Sequence, residues 1–549
     1  VALREPEPGV WVYDLGQNMV GYARLNVCGD CGDKVTLRFA EVLNPDGTVY
    51  VANLRGARAT DEYWLGGKNE TYEPVFTFHG FRYVEMRGFL GEPTLDNITG
   101  VVLYNDLPET GRFETSNAMV NQLQSNIVWG QRGNFLEVPT DCPQRDERLG
   151  WMGDAQIFIR TGTFNMDTAP FYTKWMRDVV DGQGENGAFA DVSPRACAMT
   201  DGAPAWGDAG VIVPWTMYRV YGDTRIIETC YDAMRRWIDY VHEGNPSLIR
   251  RERLNSNYGD WLSINADTPK DLLATAYFAY DCKLMAEMAK VAGKNDDVDA
   301  YTTLFNGIRD AFNKEYVQPD GALHGDTQTA YVLALKFGLL SDELKVKAAE
   351  KLVQNIRNLD THLSTGFVGG GYLLPVLTDA GYLDVAYQLL LNETFPSWGY
   401  TIRHGATTIW ERWDGWTHDK GFQNPGMNSF NHYAFGSVGE WLYATVAGID
   451  FSAPGCKQLV LHPRPGGGLT RARGEYHSIR GTIVSDWQIA DDVFGWQATV
   501  PANTAAAIHV PAKYARNISI QGPAGEIEMP ENGPVMVGSG VYHIRGELA

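Results

Sequence analysis

The apolar positions of the first 108 residues cluster in short runs that are typical of β-strands. Residues 35–42 and 76–85 are rich in β-branched and aromatic side chains, and Asn44-Pro45-Asp46-Gly47 supplies the residues of a tight turn. The β pattern ends near Leu107-Pro108. We therefore predict an N-terminal antiparallel β-sandwich domain over residues 1–108.

From about residue 116 the apolar positions follow the three-and-four spacing of a helix face. Two such faces are Ile227, Tyr231, Met234, Ile238 and Val241, and Val298, Tyr301, Phe305, Ile308 and Phe312. Another helix is predicted to open at Thr268-Pro269, with Thr268 as the cap and Pro269 at the first helical position.

Loops that carry glycine, tryptophan or both interrupt this helical region, and the first two are 52 residues apart, within the period of about 40 to 60 residues that is typical of stacked helical hairpins. They are residues 206–208, 258–261, 366–371 and 398–400. The length of the region accommodates about six hairpins at this period. The pattern predicts an (α/α)6 barrel over residues 109–448, with these loops at one end.

After Gly448 the pattern returns to β. A link at residues 452–455 precedes predicted strands at 458–462, 481–489 and 496–500. These strands predict a C-terminal antiparallel β-sandwich domain over residues 449–549.

The composition restricts the class of protein. A chain of 549 residues exceeds what one hydrophobic core usually organises, which agrees with several domains. The 46 basic and 67 acidic residues give a formal net charge of −21, which repels nucleic acid and anionic membrane surfaces. No apolar run reaches the ~20 residues needed to span a bilayer. We expect a neutral substrate, with no nucleic-acid and no membrane partner; a homodimer through exposed sandwich faces stays open.

Seven cysteines, an odd and sparse number, argue against a disulfide scaffold and favour a reducing compartment. We expect a cytoplasmic protein, with secretion open if an upstream segment has been removed. Cys28 and Cys31 form a lone C-x-x-C, which we predict to be a turn between strands because no second pair completes a zinc site. Cys142 has no histidine near it in sequence and is predicted to be a packing residue rather than a nucleophile.

Motifs for cofactors are missing from the sequence. No carboxylate and histidine spacing indicates a catalytic metal, and no phosphate loop or dinucleotide fingerprint is present. We therefore expect no cofactor, while a structural calcium ion in a β domain stays open.

Two stretches combine carboxylates with tryptophan. The first, residues 140–156, is T-D-C-P-Q-R-D-E-R-L-G-W-M-G-D-A-Q, and the second, residues 407–414, is T-T-I-W-E-R-W-D. Carboxylates accept hydrogen bonds from sugar hydroxyls, and an indole ring covers the C–H face of a sugar. Hydrolysis of a glycosidic bond also requires two carboxyl groups. The stretches therefore indicate a site for a neutral sugar.

Both stretches resemble the signature of the bacterial α-L-rhamnosidases, a glycoside hydrolase family numbered 78. That signature is D-C-P-Q-R-D-E-R-x-G-W-x-G-D followed by T-T-x-W-E, and residues 77–83 and 429–436 extend the resemblance. It implies an (α/α)6 barrel and an exo-acting enzyme that releases terminal L-rhamnose with inversion. By position in the motifs, it implies that Glu147 is the general acid and Glu411 the general base. A structural Glu411 paired to Arg412 or Arg403 is the alternative.

Other positions match residues that bind the sugar in this family. Asp141, Arg145 and Asp154 match residues that bind rhamnose hydroxyls, although Arg145 equally fits a scaffold that orients the carboxylates. The aromatic walls of the pocket and a sugar-contacting histidine match Trp151, Trp206, Trp261 and His432. Away from such a motif, a tryptophan is usually a core residue and a histidine a structural one.

Two expectations follow from these assignments, one about a pKa and one about a distance. The acidic neighbours of Glu147 should raise its pKa by repulsion, and nearby arginines should oppose them. The residues concerned are Asp141, Asp146 and Asp154 on one side, and Arg145 and Arg148 on the other. In an inverting enzyme a water lies between the base and the anomeric carbon, so that the two carboxyl groups should be roughly 6.5–9.5 Å apart.

Other functions stay open at this point. A lyase that acts on rhamnosyl-uronate links, or another glycosidase on the same barrel, is possible because a fold does not fix its chemistry. A non-catalytic sugar-binding protein is a third hypothesis, which the presence of both carboxylates disfavours.

Overall fold

The computed structural model describes residues 1–197, 201–530 and 533–549. The chain folds into two compact units. Unit 1 contains Val1–Asp106, Ser125–Gly150 and Thr401–Gly436, and unit 2 contains Leu107–Gln124, Trp151–Tyr400 and Ser437–Ala549.

The N-terminal β domain belongs to unit 1. Its strands are β1 (Ala2–Glu7), β2 (Val10–Cys28), β3 (Lys34–Ala40), β4 (Val42–Leu43), β5 (Val49–Tyr50), β6 (Thr60–Trp64), β7 (Asn69–Tyr72), β8 (His79–Arg87) and β9 (Ile98–Val102). Seven of them form one antiparallel sheet in the order β1-β2-β8-β3-β6, with β7 and β9 also paired to β2, whereas β4 and β5 pair separately.

Alternating side chains of these strands bury one face of the sheet. Leu25, Phe39 and Phe81 come from three neighbouring strands and lie in one apolar cluster. The predicted tight turn is confirmed, since the Gly47 N–H donates to the Asn44 carbonyl at 2.9 Å.

The lone C-x-x-C is the turn that the sequence predicts. Cys28 ends β2, Cys31 lies in the turn before β3, and both thiols are free, as are those of the other five cysteines.

The helical region follows in the chain. Its helices are α1 (Ala118–Asn134), α2 (Met152–Asn165), α3 (Ala169–Asp181), α4 (Ala209–Tyr221), α5 (Arg225–Gly244), α6 (Lys270–Val291), α7 (Asn295–Tyr316), α8 (Gln328–Phe337), α9 (Asp342–Asn358), α10 (Phe367–Asp379), α11 (Leu383–Leu390), α12 (Trp398–Arg403) and α13 (Gly439–Trp441). Among the described residues, no helix combines the length and the apolar character needed to cross a bilayer.

The helices of unit 2 form a closed ring. Helices α2, α4, α6, α8 and α10 contact one another in this order, and α10 returns to α2. Helices α5, α7, α9 and α11 each pack along the ring helix that precedes them. The apolar pattern explains the two layers, because α6 is buried on nearly all sides while α7 buries only one face. The predicted faces of α5 and α7 point inward, apart from Val298 and Phe305, which are only partly buried.

Two predicted loops are wrong. Residues 366–371 and 398–400 lie almost entirely within α10 and α12. A Cβ at Gly369 would lie 2.2 Å from the hydroxyl oxygen of Thr329 in α8. Glycine therefore serves close packing of two helices at this position, and this packing outweighs its low helix propensity.

The predicted cap of α6 is also wrong. The helix begins at Lys270, Pro269 is the residue before it, and Thr268 does not cap it. The Thr268 hydroxyl instead lies 2.7 Å from the hydroxyl of Thr327, with which it shares a hydrogen bond.

Most of the later strands form the C-terminal β region of unit 2. They are β10 (Gly111–Thr115), β15 (Ile449–Ala453), β16 (Gln458–Leu461), β17 (Arg471–Ser478), β18 (Gly481–Ala490), β19 (Val493–Val500), β20 (Ala505–Ile508), β21 (Arg516–Gly522), β22 (Gly525–Ile527), β23 (Val535–Val537) and β24 (Gly540–Glu547). The remaining strands form two short ladders, one of β11 (Phe135–Leu136) and β12 (Val138–Pro139) and the other of β13 (Trp416–Thr417) and β14 (Gly421–Phe422). One sheet has the order β10-β17-β18-β19-β24-β21-β22, and the other β15-β16-β20-β23.

Two details of this region differ from the prediction. The pair β16 and β20 is parallel, so the second sheet is mixed rather than antiparallel. The predicted link at 452–455 begins inside β15. The domain limits at residues 108 and 448 stay a prediction.

Candidate active site

Residues 141–150 form a loop that precedes α2 in the chain. The Leu149 N–H donates to Oδ1 of Asp141 at 3.2 Å, which ties the two ends of the loop together. A Cβ at Gly80 in β8 would lie 2.7 Å from the Gln144 side chain, so the loop packs closely on that strand.

Glu411, the predicted general base, lies on one of two paired extended segments of unit 1. Ile409 and His432 form an antiparallel bridge, in which the His432 N–H donates to the Ile409 carbonyl at 2.8 Å. The Glu411 N–H donates to the Ser429 carbonyl at 2.9 Å. The backbone position of Glu411 is therefore set by residues 429–432.

Arg145 joins the two predicted catalytic residues. Its Nη2 lies 2.8 Å from Oε2 of Glu147, and its Nη1 lies 3.2 Å from Oε2 of Glu411. The Arg145 side chain is only 2% exposed, and its charge is balanced by these carboxylates. These contacts are those expected of a scaffold that orients the carboxylates, and both roles offered for Arg145 stay predictions.

The same guanidinium limits the separation of the two carboxylates. Nη2 of Arg145 is 2.8 Å from Oε2 of Glu147 and 3.4 Å from Oε1 of Glu411, so these oxygens are at most 6.2 Å apart. The limit falls between the roughly 5–5.5 Å typical of retaining enzymes and the 6.5–9.5 Å typical of inverting ones. The wider spacing is not reached between these oxygens, and the distance alone does not define the stereochemistry.

Positive groups surround Glu147. Arg55 Nη2 lies 2.8 Å from the same Oε2 that Arg145 contacts, while Arg55 Nε donates to Asp146 Oδ1 at 2.8 Å. Although partial desolvation opposes it, the bond from Arg55 lowers the pKa of Asp146. Two guanidinium groups therefore contact the Glu147 carboxylate directly and oppose the repulsion expected from its acidic neighbours, whose effect on its pKa stays a prediction.

Glu411 has the opposite surroundings. Burial raises the pKa of its carboxyl group, and the Arg145 charge opposes this effect. Sγ of Cys142 lies 3.9 Å from Oε2 of Glu411. Arg412 pairs with Asp414 at 2.8 Å, so the structural pairing of Glu411 with Arg412 is not observed.

The two tryptophans beside Glu411 in the sequence belong to the packing of unit 1. Trp410 contacts Phe430 edge to face at a centroid distance of 5.1 Å, and Trp413 lies 4.0 Å from Phe435. Both tryptophans are buried. They fix the segment that carries the carboxylate.

Asp141, Cys142 and His432 lie close together, with one potential ligand atom of each within 4.8 Å of the others. Burial raises the pKa of the Cys142 thiol well above its usual range, which leaves a neutral thiol. Nδ1 of His432 accepts the Ala434 N–H at 3.1 Å. A neutral thiol is a poor nucleophile.

An aromatic cluster in unit 2 contains the three predicted tryptophans. Its centre is Tyr258, whose ring lies 5.7 Å from Trp151, 4.5 Å from Trp206 and 6.0 Å from Trp261. Trp206 is buried, whereas the other members of the cluster are partly exposed. The Tyr258 hydroxyl donates to Asp191 at 2.9 Å.

Buried aspartates fix the loops of this cluster. Asp208 accepts the Ala205 N–H and lies 3.4 Å from the Arg250 guanidinium, and all three of these residues are buried. Asp260 accepts backbone N–H groups at the start of α10, including that of Gly366 at 2.8 Å. The aspartates of the W-G-D and G-D-W loops are therefore structural.

The remaining predicted residue, Asp154, lies in the first turn of α2 and is buried. The structure thus brings Asp141, Arg145, Glu147, Glu411 and His432 together in unit 1, and Trp151, Trp206 and Trp261 together in unit 2. The charged set and the aromatic set therefore belong to different units.

Sequence reasoning missed three residues that contact these sets. Tyr258 stands beside Trp261 in Y-G-D-W, so its loop was recognised but its ring was not. Arg55 and Asp191 have no local signal, because each meets its partner only through the fold.

The closed ring of helices, the β regions before and after it in the chain and the two carboxylates on one arginine agree with the fold class expected of a six-hairpin glycosidase domain. Residues 108–446 match the model of the bacterial alpha-L-rhamnosidase six-hairpin glycosidase domain. Residues 4–104 match the concanavalin-like domain of the same enzymes, and 448–524 their C-terminal domain. The chain therefore belongs to the bacterial α-L-rhamnosidase family, and the predicted fold class and family are confirmed.

Relatives agree with this membership. An alpha-L-rhamnosidase of Streptomyces avermitilis is 52% identical over 541 residues, which are 98% of this chain and 52% of the relative. One of Formosa agariphila is 42% identical over 93% of this chain and 56% of its own length. The crystal structure of the S. avermitilis enzyme complexed with L-rhamnose has a TM-score of 0.96 at 50% identity, covering 99% of this chain and 53% of that one. The chain spans about half the length of the curated relatives it matches.

Proposed function

We propose that this protein is an exo-acting α-L-rhamnosidase that hydrolyses terminal α-L-rhamnose with inversion. The observation that carries the proposal is the contact of two carboxylates, Glu147 and Glu411, with the single buried guanidinium of Arg145. Membership of the family supports the substrate class, as does the relative from S. avermitilis, whose structure was solved with L-rhamnose.

In the proposed reaction Glu147 gives a proton to the glycosidic oxygen, and the bond between this oxygen and the anomeric carbon breaks. Glu411 removes a proton from a water molecule, whose oxygen bonds to the anomeric carbon from the opposite face. The products are β-L-rhamnose and the alcohol of the leaving group. Exchange of the two protons with solvent returns both carboxyl groups to their starting states.

We assign substrate binding to the residues that match the family motif. Asp141, Asp154 and His432 are assigned to the sugar hydroxyls, and Arg145 both to the sugar and to the orientation of the carboxylates. The aromatic assignments are Trp151, Trp206 and Trp261. Because L-rhamnose is a 6-deoxy sugar, an apolar pocket around its C6 methyl group is proposed to select it over mannose-like sugars.

Release of p-nitrophenol from its α-L-rhamnoside tests the activity, and proton NMR of the first product tests the stereochemistry. We expect β-L-rhamnose before mutarotation mixes the anomers. If α-L-rhamnose appears first, the enzyme retains configuration and the role of Glu411 as base is wrong. An unsaturated product formed only from uronate substrates identifies a lyase, and rhamnose binding without release identifies a sugar-binding protein.

A homodimer and a cytoplasmic location are further proposals. The free thiols of all seven cysteines support a reducing compartment. Sedimentation analysis of the purified protein and fractionation of its host cells test the two proposals.

A further inference from the structure

Glu41 is another buried carboxyl group of unit 1, and its contacts lead to the segments near Glu411. Glu41 stands between β3 and β4 of the N-terminal β domain and is 2% exposed. Burial raises its pKa to about 7, although its hydrogen bonds and the Arg145 charge act in the opposite direction. The proposed hydrolysis does not use this group as acid or base.

Three N–H groups donate to the Glu41 carboxyl group. Asn18 Nδ2 donates to Oε1 at 3.0 Å, and Asn53 Nδ2 donates to Oε2 at 2.9 Å. The third donor is the backbone N–H of Phe430, at 3.1 Å from Oε2. An ionised carboxylate accepts all three bonds, whereas an amide in its place offers only one acceptor oxygen.

The third bond acts on the segment that positions Glu411. Residues 429 and 432 pair with the segment of Glu411, and the intervening N–H of Phe430 points to Glu41 instead. In a paired strand, alternate N–H groups face away from the partner strand and need another acceptor. Glu41 supplies this acceptor, as a neighbouring strand would.

Asn18 and Thr408 strengthen the same connection. Asn18 Nδ2 lies 3.2 Å from the hydroxyl of Thr408, and this hydroxyl donates to the Phe430 carbonyl at 2.6 Å. The Asn18 backbone N–H also donates to the hydroxyl of Thr407 at 2.9 Å. Both extended segments near Glu411 are therefore fixed to strand β2 and to Glu41.

We propose that Glu41 is a positioning residue through which the N-terminal β domain fixes the catalytic carboxylate of Glu411. This inference rests on the proposed role of Glu411 as base. A displacement of a catalytic group by about 1 Å can lower the rate a hundredfold, so Glu41 acts on the chemical step without touching the substrate.

The test compares Glu41→Gln with Glu85→Gln in the otherwise unchanged protein. Glu85 is a matched control, because it is a buried carboxylate of the same β domain that pairs with Arg87 rather than with a residue near Glu411. We expect Glu41→Gln to lower kcat by about tenfold to a hundredfold, with KM within about twofold of the original value. Glu85→Gln should leave kcat unchanged, whatever its effect on thermal unfolding.

The leaving group provides a second readout. A misplaced base slows the reaction of every rhamnoside, so the loss in Glu41→Gln should be the same for p-nitrophenyl and alkyl rhamnosides and should follow that of Glu411→Gln. An unchanged kcat, or an equal loss in Glu85→Gln, overturns the proposal. If Glu41→Gln does not fold, the kcat of Asn18→Ala tests the proposal instead. A kcat of Asn18→Ala within about twofold of the original value then overturns the proposal.

Glu411→Gln separates this inference from the proposed function. If that variant keeps its activity, the assignment of Glu411 is wrong, and the inference about Glu41 falls with it. If that variant is inactive while Glu41→Gln is fully active, only the inference about Glu41 is wrong.

Discussion

Glu147 and Glu411 share the Arg145 guanidinium but differ in the rest of their surroundings. The Glu147 side chain is 14% exposed, lies in a loop and contacts the guanidinium of Arg55 as well. The Glu411 side chain is 4% exposed and lies on paired extended segments, where burial raises its pKa. Contact with cations favours the ionised form, and burial favours the neutral form.

This difference opposes the roles that the motif assigns. A general acid must carry a proton, yet two cations contact Glu147. A general base must be ionised, yet Glu411 is buried with one cation beside it. In the proposed mechanism, these arginines oppose the protonated form of Glu147 and favour the ionised form of Glu411. Substitutions of the carboxylates and of the arginines test this comparison.

Replacing the base should remove most of the activity. We expect Glu411→Gln to lower kcat by about 10²–10⁴-fold, because no carboxylate is left to activate water. The loss should be similar for p-nitrophenyl and alkyl rhamnosides, measured by steady-state kinetics. Rapid release of p-nitrophenol by this variant would assign the base role to another residue.

Replacing the acid should give a loss that depends on the leaving group. We expect Glu147→Gln to abolish activity on alkyl rhamnosides but to keep more of it on p-nitrophenyl rhamnoside, because an activated leaving group needs little protonation. A plot of kcat/KM against leaving-group pKa measures this trend. Equal losses on both substrates would contradict the acid role and leave Asp146 or Asp154 as candidates.

Removing the shared guanidinium should shift the acid limb of the pH profile. Glu411 must be ionised to act, so activity falls as pH falls through its pKa. Burial already raises this pKa and Arg145 opposes the increase. We therefore expect Arg145→Gln to move the acid limb of kcat/KM to higher pH by about one to three units. Arg412→Gln is the control, since Arg412 pairs with Asp414, and an equal shift in both variants would contradict the prediction.

Removing the second guanidinium of Glu147 should shift the alkaline limb instead. Activity is lost as pH rises through the pKa of the acid, and Arg55 favours its ionised form. We expect Arg55→Gln to move the alkaline limb to higher pH, with the acid limb unchanged. Arg58→Gln, three residues further on, controls for a general change in charge. A shift of the acid limb would show that Arg55 acts on Glu411.

The sequence was sufficient for features with a local signal. The face of α5 and the turn at Asn44 depend on neighbours in the chain, and both predictions are confirmed. The loop predicted at 366–371 was wrong because Gly369 serves close packing of two helices, and that at 398–400 because Gly399 lies in α12 against the backbone of Asn392, contacts that no local pattern reveals.

The sequence motif predicted only part of the candidate site. It placed five residues of unit 1, and the structure brings them together, although their roles stay predictions. The motif does not include Arg55 or Glu41. Arg55 meets a loop about ninety residues further on, and Glu41 meets a segment 389 residues further on. Contacts of this kind depend on how the β domain packs within unit 1.

The smallest effect is expected in the aromatic cluster of unit 2. Tyr258→Phe keeps the ring between Trp206 and Trp261 but removes the hydrogen bond to Asp191, worth about 1 kcal/mol. Because the bond orients the ring rather than the carboxylates, we expect KM for p-nitrophenyl rhamnoside to rise by about fivefold or less while kcat stays unchanged.

Tyr387→Phe is the control for this last variant. It also removes one bond from a buried tyrosine hydroxyl in unit 2, that to the Arg464 carbonyl at 2.7 Å, but Tyr387 lies on α11, outside the aromatic cluster. Both variants should lower thermal stability slightly, and only Tyr258→Phe should change KM. A fall in kcat for Tyr258→Phe would mean that this ring helps to place the reacting groups, and the contrast between the charged set and the aromatic set would fail.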